Sequence, residues 1–148
     1  MIVREAFRSD IPTIIDFQLK MALETENLVL DKDTITNGVK AVFEDPNKGR
    51  YFIVEKAGEV ISSMMITYEW SDWRNATVVW LQSVYVLTEY RRKGMFRIMY
   101  DHIRNIVKED DTYKGIRLYV DQSNVNAQKT YEAMGMTAEH YNMYEWFE

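Results

Sequence analysis

Apolar side chains recur at helical spacing in three stretches of this chain, and runs rich in β-branched and aromatic residues lie between them. Ile11, Ile14, Ile15, Leu19 and Ala22 trace one face of a first helix. Ser9 or Asp10 stands where a cap belongs, and Pro12 suits the first turn. "LETENLVL" breaks the pattern. A second short helix fits Thr34 to Phe43 through Ile35, Val39 and Val42, and must end before Pro46. A third is expected from about Gly94 to Val107, where Phe96, Met99, Ile103, Ile106 and Val107 recur. A fourth, capped by Asn124, runs to Met134, with Gly135 where a C′ glycine belongs.

The strands fall between these helices. "IVREA" reads as the first. "YFIVEKAGEVISSMMITYEW" reads as two strands joined by a turn at Ala57-Gly58. "SDWRNA" is a polar loop, and "TVVWLQSVYV" is a strand by its residue types. "EDDTYKG" is a loop, "IRLYV" a strand, and the tail "MTAEHYNMYEWF" one more. The order is β-α-α-β-β-β-α-β-α-β. It predicts an α/β domain whose central strands mostly pair with their sequence neighbours.

Composition narrows the classes. The chain has 148 residues, 47% hydrophobic and 28% charged, which predicts one domain over residues 1–148 with a sizeable core. It has no cysteine, so disulfides, thiolate metal sites and a cysteine nucleophile are excluded. His102 and His140 are too few and too far apart to suggest a metal site. No apolar run reaches the roughly 18 residues of a membrane span, and "MIVREAFRSD" lacks a signal-peptide core. The expected compartment is the cytoplasm, with no membrane partner. A net charge of −5 argues against nucleic acid and favours a cationic or neutral substrate.

Against that acidic background the basic cluster from Arg91 to Arg97 stands out. Arg91, Arg92 and Lys93 precede Gly94 at the point where the third helix begins. A helix N-terminus offers unpaired N–H groups and partial positive charge, and Gly94 lets a ligand approach the backbone. The unit suits a phosphate or pyrophosphate; the plainer reading is a solvated basic face before an ordinary helix start. Two other phosphate motifs fail on spacing. Lys93 precedes the only nearby glycine and no Ser or Thr follows, and G-x-G-x-x-G is absent.

"RRKGMF" resembles the [Q/R]-x-x-G-x-[G/A] signature of the GNAT superfamily of N-acetyltransferases. Arg91 and Gly94 match, and Phe96 replaces the second small residue. "NVNAQKTYEAMGM" resembles the family's other signature, with Asn124, Ala127, Tyr131, Gly135 and Met136 in register. The resemblance implies a GNAT-like fold: a central mixed, mostly antiparallel sheet of about six to seven strands, flanked by about four helices and splayed at the fourth strand. It implies acetyl-coenzyme A as cosubstrate and no metal. Arg91, Arg92, Lys93, Gly94, Met95, Phe96 and Arg97 would hold the pyrophosphate. Val84, Tyr85 and Val86 would line the pantetheine arm, the N–H near Val84 polarising the thioester carbonyl. Asn124 and Ala127 would contact the arm, and Tyr131 would protonate the departing sulfur. Tyr131 as a core aromatic and Asn124 as a helix cap are the bland alternatives.

The resemblance leaves the general base open. Some family members carry a glutamate on the fourth strand, and the corresponding position here is Trp80. Glu24 and Glu26 in "LETENL" are the expected candidates, with Glu69 a third; surface charge is the ordinary role of each. Trp70, Trp73, Trp80, Tyr68 and Tyr85 would make an aromatic acceptor site suited to a primary amine of a small molecule or a protein. They suit a core or dimer interface equally. Two other functions compete: a coenzyme A-binding or sensor module without catalysis, and a structural dimerisation domain, since "YNMYEWF" is aromatic enough for a homodimer interface.

Overall fold

Local rules place most of the elements. The computed structural model describes residues 1–148. Its strands are β1 (Ile2–Glu5), β2 (Arg50–Lys56), β3 (Glu59–Ser71), β4 (Ala76–Val86) and β5 (Tyr113–Arg117). Its α-helices are α1 (Ile11–Glu26), α2 (Lys32–Glu44), α3 (Met95–Glu109) and α4 (Val125–Ala133). Ala57 (φ 51°) and Gly58 (φ 81°) both adopt left-handed backbone, the two-residue turn that matches strand twist, and so join β2 to β3. Asp31 caps α2 by accepting from the Thr34 N–H at 2.9 Å. The chain divides into two compact units, Met1–Arg117 and Leu118–Glu148.

The first unit holds a five-stranded sheet in the order β1-β2-β3-β4-β5. The first four strands are antiparallel neighbours, and β4 pairs with β5 in parallel. A parallel return needs a crossover, and α3 supplies it. Adjacent residues of β2 point to opposite faces. Tyr51 and Ile53 join Ala6, Ile14 and Val39 in a core covered by Ile15, Ile35 and Val42 of α1 and α2. Phe52 lies instead against His102 of α3, ring centroids 5.6 Å apart. The sheet is therefore packed on both faces. No helix is long and apolar enough to cross a membrane.

Several boundaries differ from expectation. The sheet has five strands, not six to seven. The tail after Ala133 carries no strand, because an extended segment becomes one only when another backbone shares its hydrogen bonds, and residues 118–148 contain no such pair. α1 continues through the start of "LETENLVL" to Glu26 and stops at Asn27 (φ 50°), a residue type that tolerates the left-handed turn. β5 begins at Tyr113, upstream of "IRLYV", because its ladder on β4 starts at Thr77↔Tyr113.

Asp10 does not cap α1 through its side chain. Its carboxylate accepts from the Phe7 N–H at 2.7 Å and from Arg4 Nη1 at 2.8 Å. Burial would raise its pKa, but Arg4 and the Phe7 N–H together outweigh burial and hold it below the ordinary 3.8. We expect Asp10→Ala to cost about 1–3 kcal/mol, the usual range for stranding buried partners, as read from urea unfolding. A lowered native pKa stabilises the fold above the unfolded value. The difference between parent and variant should therefore shrink as pH falls below 3.8.

Candidate functional site

The site grows out of an irregularity in β4. Ser63 pairs with Tyr85 and Met65 with Gln82, so Ser83 and Val84 together oppose Met64. Ser83 takes the left-handed backbone (φ 54°) that this β-bulge requires. On its other side β4 outruns β5. The ladder to β5 ends at Trp80↔Arg117, while β4 runs on to Val86. This is the expected splay at the fourth strand. Leu87 donates its N–H to Ile61 O of β3 at 3.0 Å, so alternation turns the Val86 N–H and C=O toward the edge that β5 has left. The bulge therefore lies in the part of β4 that runs beyond β5, Ser83 to Val86.

Next along the chain comes a basic turn. A short 3₁₀ turn at Thr88–Tyr90 leads into Arg91, Arg92 and Lys93, and α3 starts after Gly94. Gly94 is the N-cap residue, with φ 82° and no side chain to cap the first turn. Helix geometry leaves the first-turn N–H groups, at Met95, Phe96 and Arg97, without intrahelical acceptors. A Cβ added at Gly94 would meet no protein atom within 4 Å. Arg92 also adopts left-handed backbone, with φ 61°. The helix end thus gathers N–H donors and positive charge in one place, the arrangement that suits an anion. Met95 is buried, whereas Phe96 is only half-buried and stacks on Tyr100 with centroids 6.0 Å apart.

Three of the expected site residues come together, although α1 and β4 are far apart in sequence. Glu24, in the last turns of α1, accepts from the Tyr85 hydroxyl at 3.1 Å and from Arg91 Nη2 at 2.6 Å. Arg91 Nε donates to Val86 O at 2.9 Å. The hydrogen bond from Arg91, helped by that from Tyr85, holds the Glu24 carboxyl below its ordinary range. Burial, and then the bond to Glu24, pushes the Tyr85 phenol up. Glu26 ends α1 two residues on and is exposed. Nothing in the sequence signalled that Glu24 and Arg91 would meet.

A second carboxylate lies farther along the sheet. Glu69 of β3 accepts from Trp80 Nε1 at 2.8 Å and from Arg117 Nη1 at 2.5 Å. The bond from Arg117, then that from Trp80, keeps its carboxyl low. Trp70 and Trp73, near the β3–β4 connection, are exposed. Tyr68 instead stacks on Tyr113. The expected aromatic group is thus spread over different surroundings. No cluster of three or more His, Asp or Glu side chains is placed to hold a metal ion.

The remaining expected residues belong to the second unit. Asn124 caps α4, its side chain accepting from the Ala127 N–H at 3.1 Å. Tyr131 lies on the same helix, and burial raises its phenol above the ordinary 10.0. The helix closes at Met134 and Gly135, the latter with φ 87°.

Comparison with known proteins gives a consistent picture. The model of the acetyltransferase (GNAT) family matches residues 15–136, on both sides of the division between the units. The structure of a possible acetyltransferase from Clostridium difficile 630 is 46% identical, with a TM-score of 0.92 over 99% of this chain and 97% of that one. A transcriptional regulator from Bacillus halodurans C-125 is 17% identical, with a TM-score of 0.83 over 99% of each chain. A ribosomal-protein-alanine N-acetyltransferase from Brucella melitensis biovar Abortus 2308 is 12% identical, with a TM-score of 0.80 over 99% of this chain and 100% of that one. The last two likenesses are of fold alone. No curated protein matches the chain.

Proposed function

Because this chain belongs to the acetyltransferase (GNAT) family, we propose that it moves an acetyl group from acetyl-coenzyme A to a primary amine of a small molecule or a protein, by direct attack in a ternary complex. The observation that carries this reading is the adjacency of two features in the first unit: the stretch of β4 beyond its β5 ladder, ending at Val86, and a glycine-capped, basic helix start at Gly94. The N–H groups of Met95, Phe96 and Arg97 suit the pyrophosphate, with Arg92, Lys93 and Arg97 adding charge. The Val86 N–H suits an amide of the pantetheine arm, laid along the edge as an added strand. The bulge at Ser83 and Val84 breaks the regular ladder there, and the Val84 N–H would polarise the thioester carbonyl.

Each proton needs a destination. An ammonium with pKa about 10.4 must be neutral to attack, which at pH 7 costs roughly 4.6 kcal/mol. The nitrogen then bonds to the carbonyl carbon, the carbon–sulfur bond breaks, and the sulfur takes a proton. Tyr131 is the proposed donor, since a phenol is protonated at neutral pH and burial raises this one further above 10.0. Asn124 and Ala127, at the start of the same helix, are the proposed contacts to the arm. The amine's proton needs an acceptor. Glu24 already receives two hydrogen bonds and has a lowered pKa, which favours Glu26 or a chain of water as the route.

Calorimetry with coenzyme A, followed by thiol release from acetyl-coenzyme A over a panel of amines, tests the proposal. Binding with amine-dependent release is the expected result. Binding without release from any amine would favour a coenzyme-binding module. No binding would overturn the reading.

A further inference from the structure

Glu24 was expected as a general base, but its surroundings assign it other work. Its carboxylate joins three elements that sequence keeps apart. It sits on α1, it takes the hydroxyl of Tyr85 just after the β4 bulge, and it takes Nη2 of Arg91, the first residue of the basic loop. The Nε–H of the same guanidinium is also engaged, by Val86 O. The Arg91 side chain is thus turned back across the end of β4, over the Tyr85 ring at 5.4 Å, and that ring rests on Phe17 at 4.9 Å. The loop that follows contains two left-handed residues, Arg92 and Gly94. A non-glycine residue adopts that backbone only at a cost, so the loop needs an anchor at its start.

We infer that Glu24 is a positioning residue for the coenzyme: by holding Arg91 and Tyr85 from α1, it keeps the Arg91–Gly94 loop and the end of β4 in the shape that receives the pyrophosphate and the arm. The inference rests on the reading under Proposed function. Fold stability does not account for the cluster, because the Arg91 and Glu24 side chains are 41% and 39% exposed and such pairs add little. Simple charge does not account for it either. A carboxylate beside an anion site repels the anion, so a purely electrostatic Glu24 would weaken coenzyme binding and its loss would tighten it. Positioning predicts the opposite sign.

The test is calorimetric titration of coenzyme A into the parent, Glu24→Ala, Glu24→Gln, Tyr85→Phe, Arg91→Ala and the double variant Glu24→Ala/Arg91→Ala. Glu24→Ala should raise Kd about tenfold, within the roughly 5–150-fold span of one energetic coupling. Glu24→Gln, which keeps an acceptor oxygen, should lose less. Tyr85→Phe should lose part of the effect. The double variant should lose less than the sum of the two single losses, because the two residues share one contact while Glu24 also holds Tyr85. Thermal midpoints should stay close to the parent's. Equal or tighter binding by Glu24→Ala overturns the inference, as does additivity in the double variant. A fall in kcat at unchanged Kd, with loss of the acidic limb of the pH–rate profile in Glu24→Gln, overturns it in favour of a base. A parent that binds no coenzyme A overturns the functional reading itself, and the separate result identifies which has failed.

Discussion

Tyr131→Phe is expected to lower kcat for acetyl transfer by about 10²–10⁴, the usual range for general acid catalysis. The change removes one oxygen and keeps the ring, so helix packing should survive. Affinity for acetyl-coenzyme A and stability should move little, since one hydrogen bond contributes only about 0.5–1.5 kcal/mol net. Lowered kcat at unchanged affinity marks an interaction made in the transition state. The environment adds a pH signature. Burial raises the phenol above 10.0, so the acid stays loaded throughout the neutral range. The parent's rate should fall only as pH climbs past that value, and the variant should lack this limb. Steady-state kinetics from pH 6 to pH 10.5 would read both effects. Normal turnover in the variant would return Tyr131 to the role of a packing aromatic and leave the sulfur to be protonated by water or the incoming ammonium.

Gly94→Val should abolish tight coenzyme binding while the domain remains folded. Two physical causes act together. A branched residue at φ 82° is strained, which pulls the helix start away from its present course. The added Cβ also enters space where it meets no protein atom within 4 Å, the side proposed for the approach of phosphate oxygens. Loss of even one charge-assisted hydrogen bond costs about 1.5–3 kcal/mol, roughly 10–150-fold in Kd. Gly94→Ala separates the causes, for it carries much of the backbone strain with little bulk. Calorimetry should rank affinity as parent, then Ala, then Val, with thermal melting showing that all three fold. Equal binding by the Val variant would remove the helix N-terminus from the proposed pyrophosphate site.

The features legible in the sequence were those that depend on near neighbours. The Ala57-Gly58 turn, the start of α3 after Gly94, the Asn124 cap and the Gly135 stop each follow from one or two residues and the backbone angles they permit. Two signatures in register brought the family into view by the same local means. Periodicity was less discriminating about the face of α3. Phe96, Met99 and Ile103 fit a helical stripe, but so do Met95, Met99 and Ile103, and the second set is the buried one. Spacings of three and four both return to one side of a helix, so only the sheet beneath decides which residue turns inward.

The tertiary structure alone decided how the site is assembled. Ser83 bears no mark of a bulge, and its left-handed backbone follows from setting two residues of β4 against one of β3. β4 runs on past the end of its ladder to β5 at Trp80, which the composition of neither strand announces. Glu24 meets Tyr85 and Arg91 across 61 and 67 residues of chain. Side-chain type and spacing determine local conformation because those interactions reach only a few residues. A contact between distant segments is determined by how helices stack on a sheet, and that packing sets what each carboxylate can do.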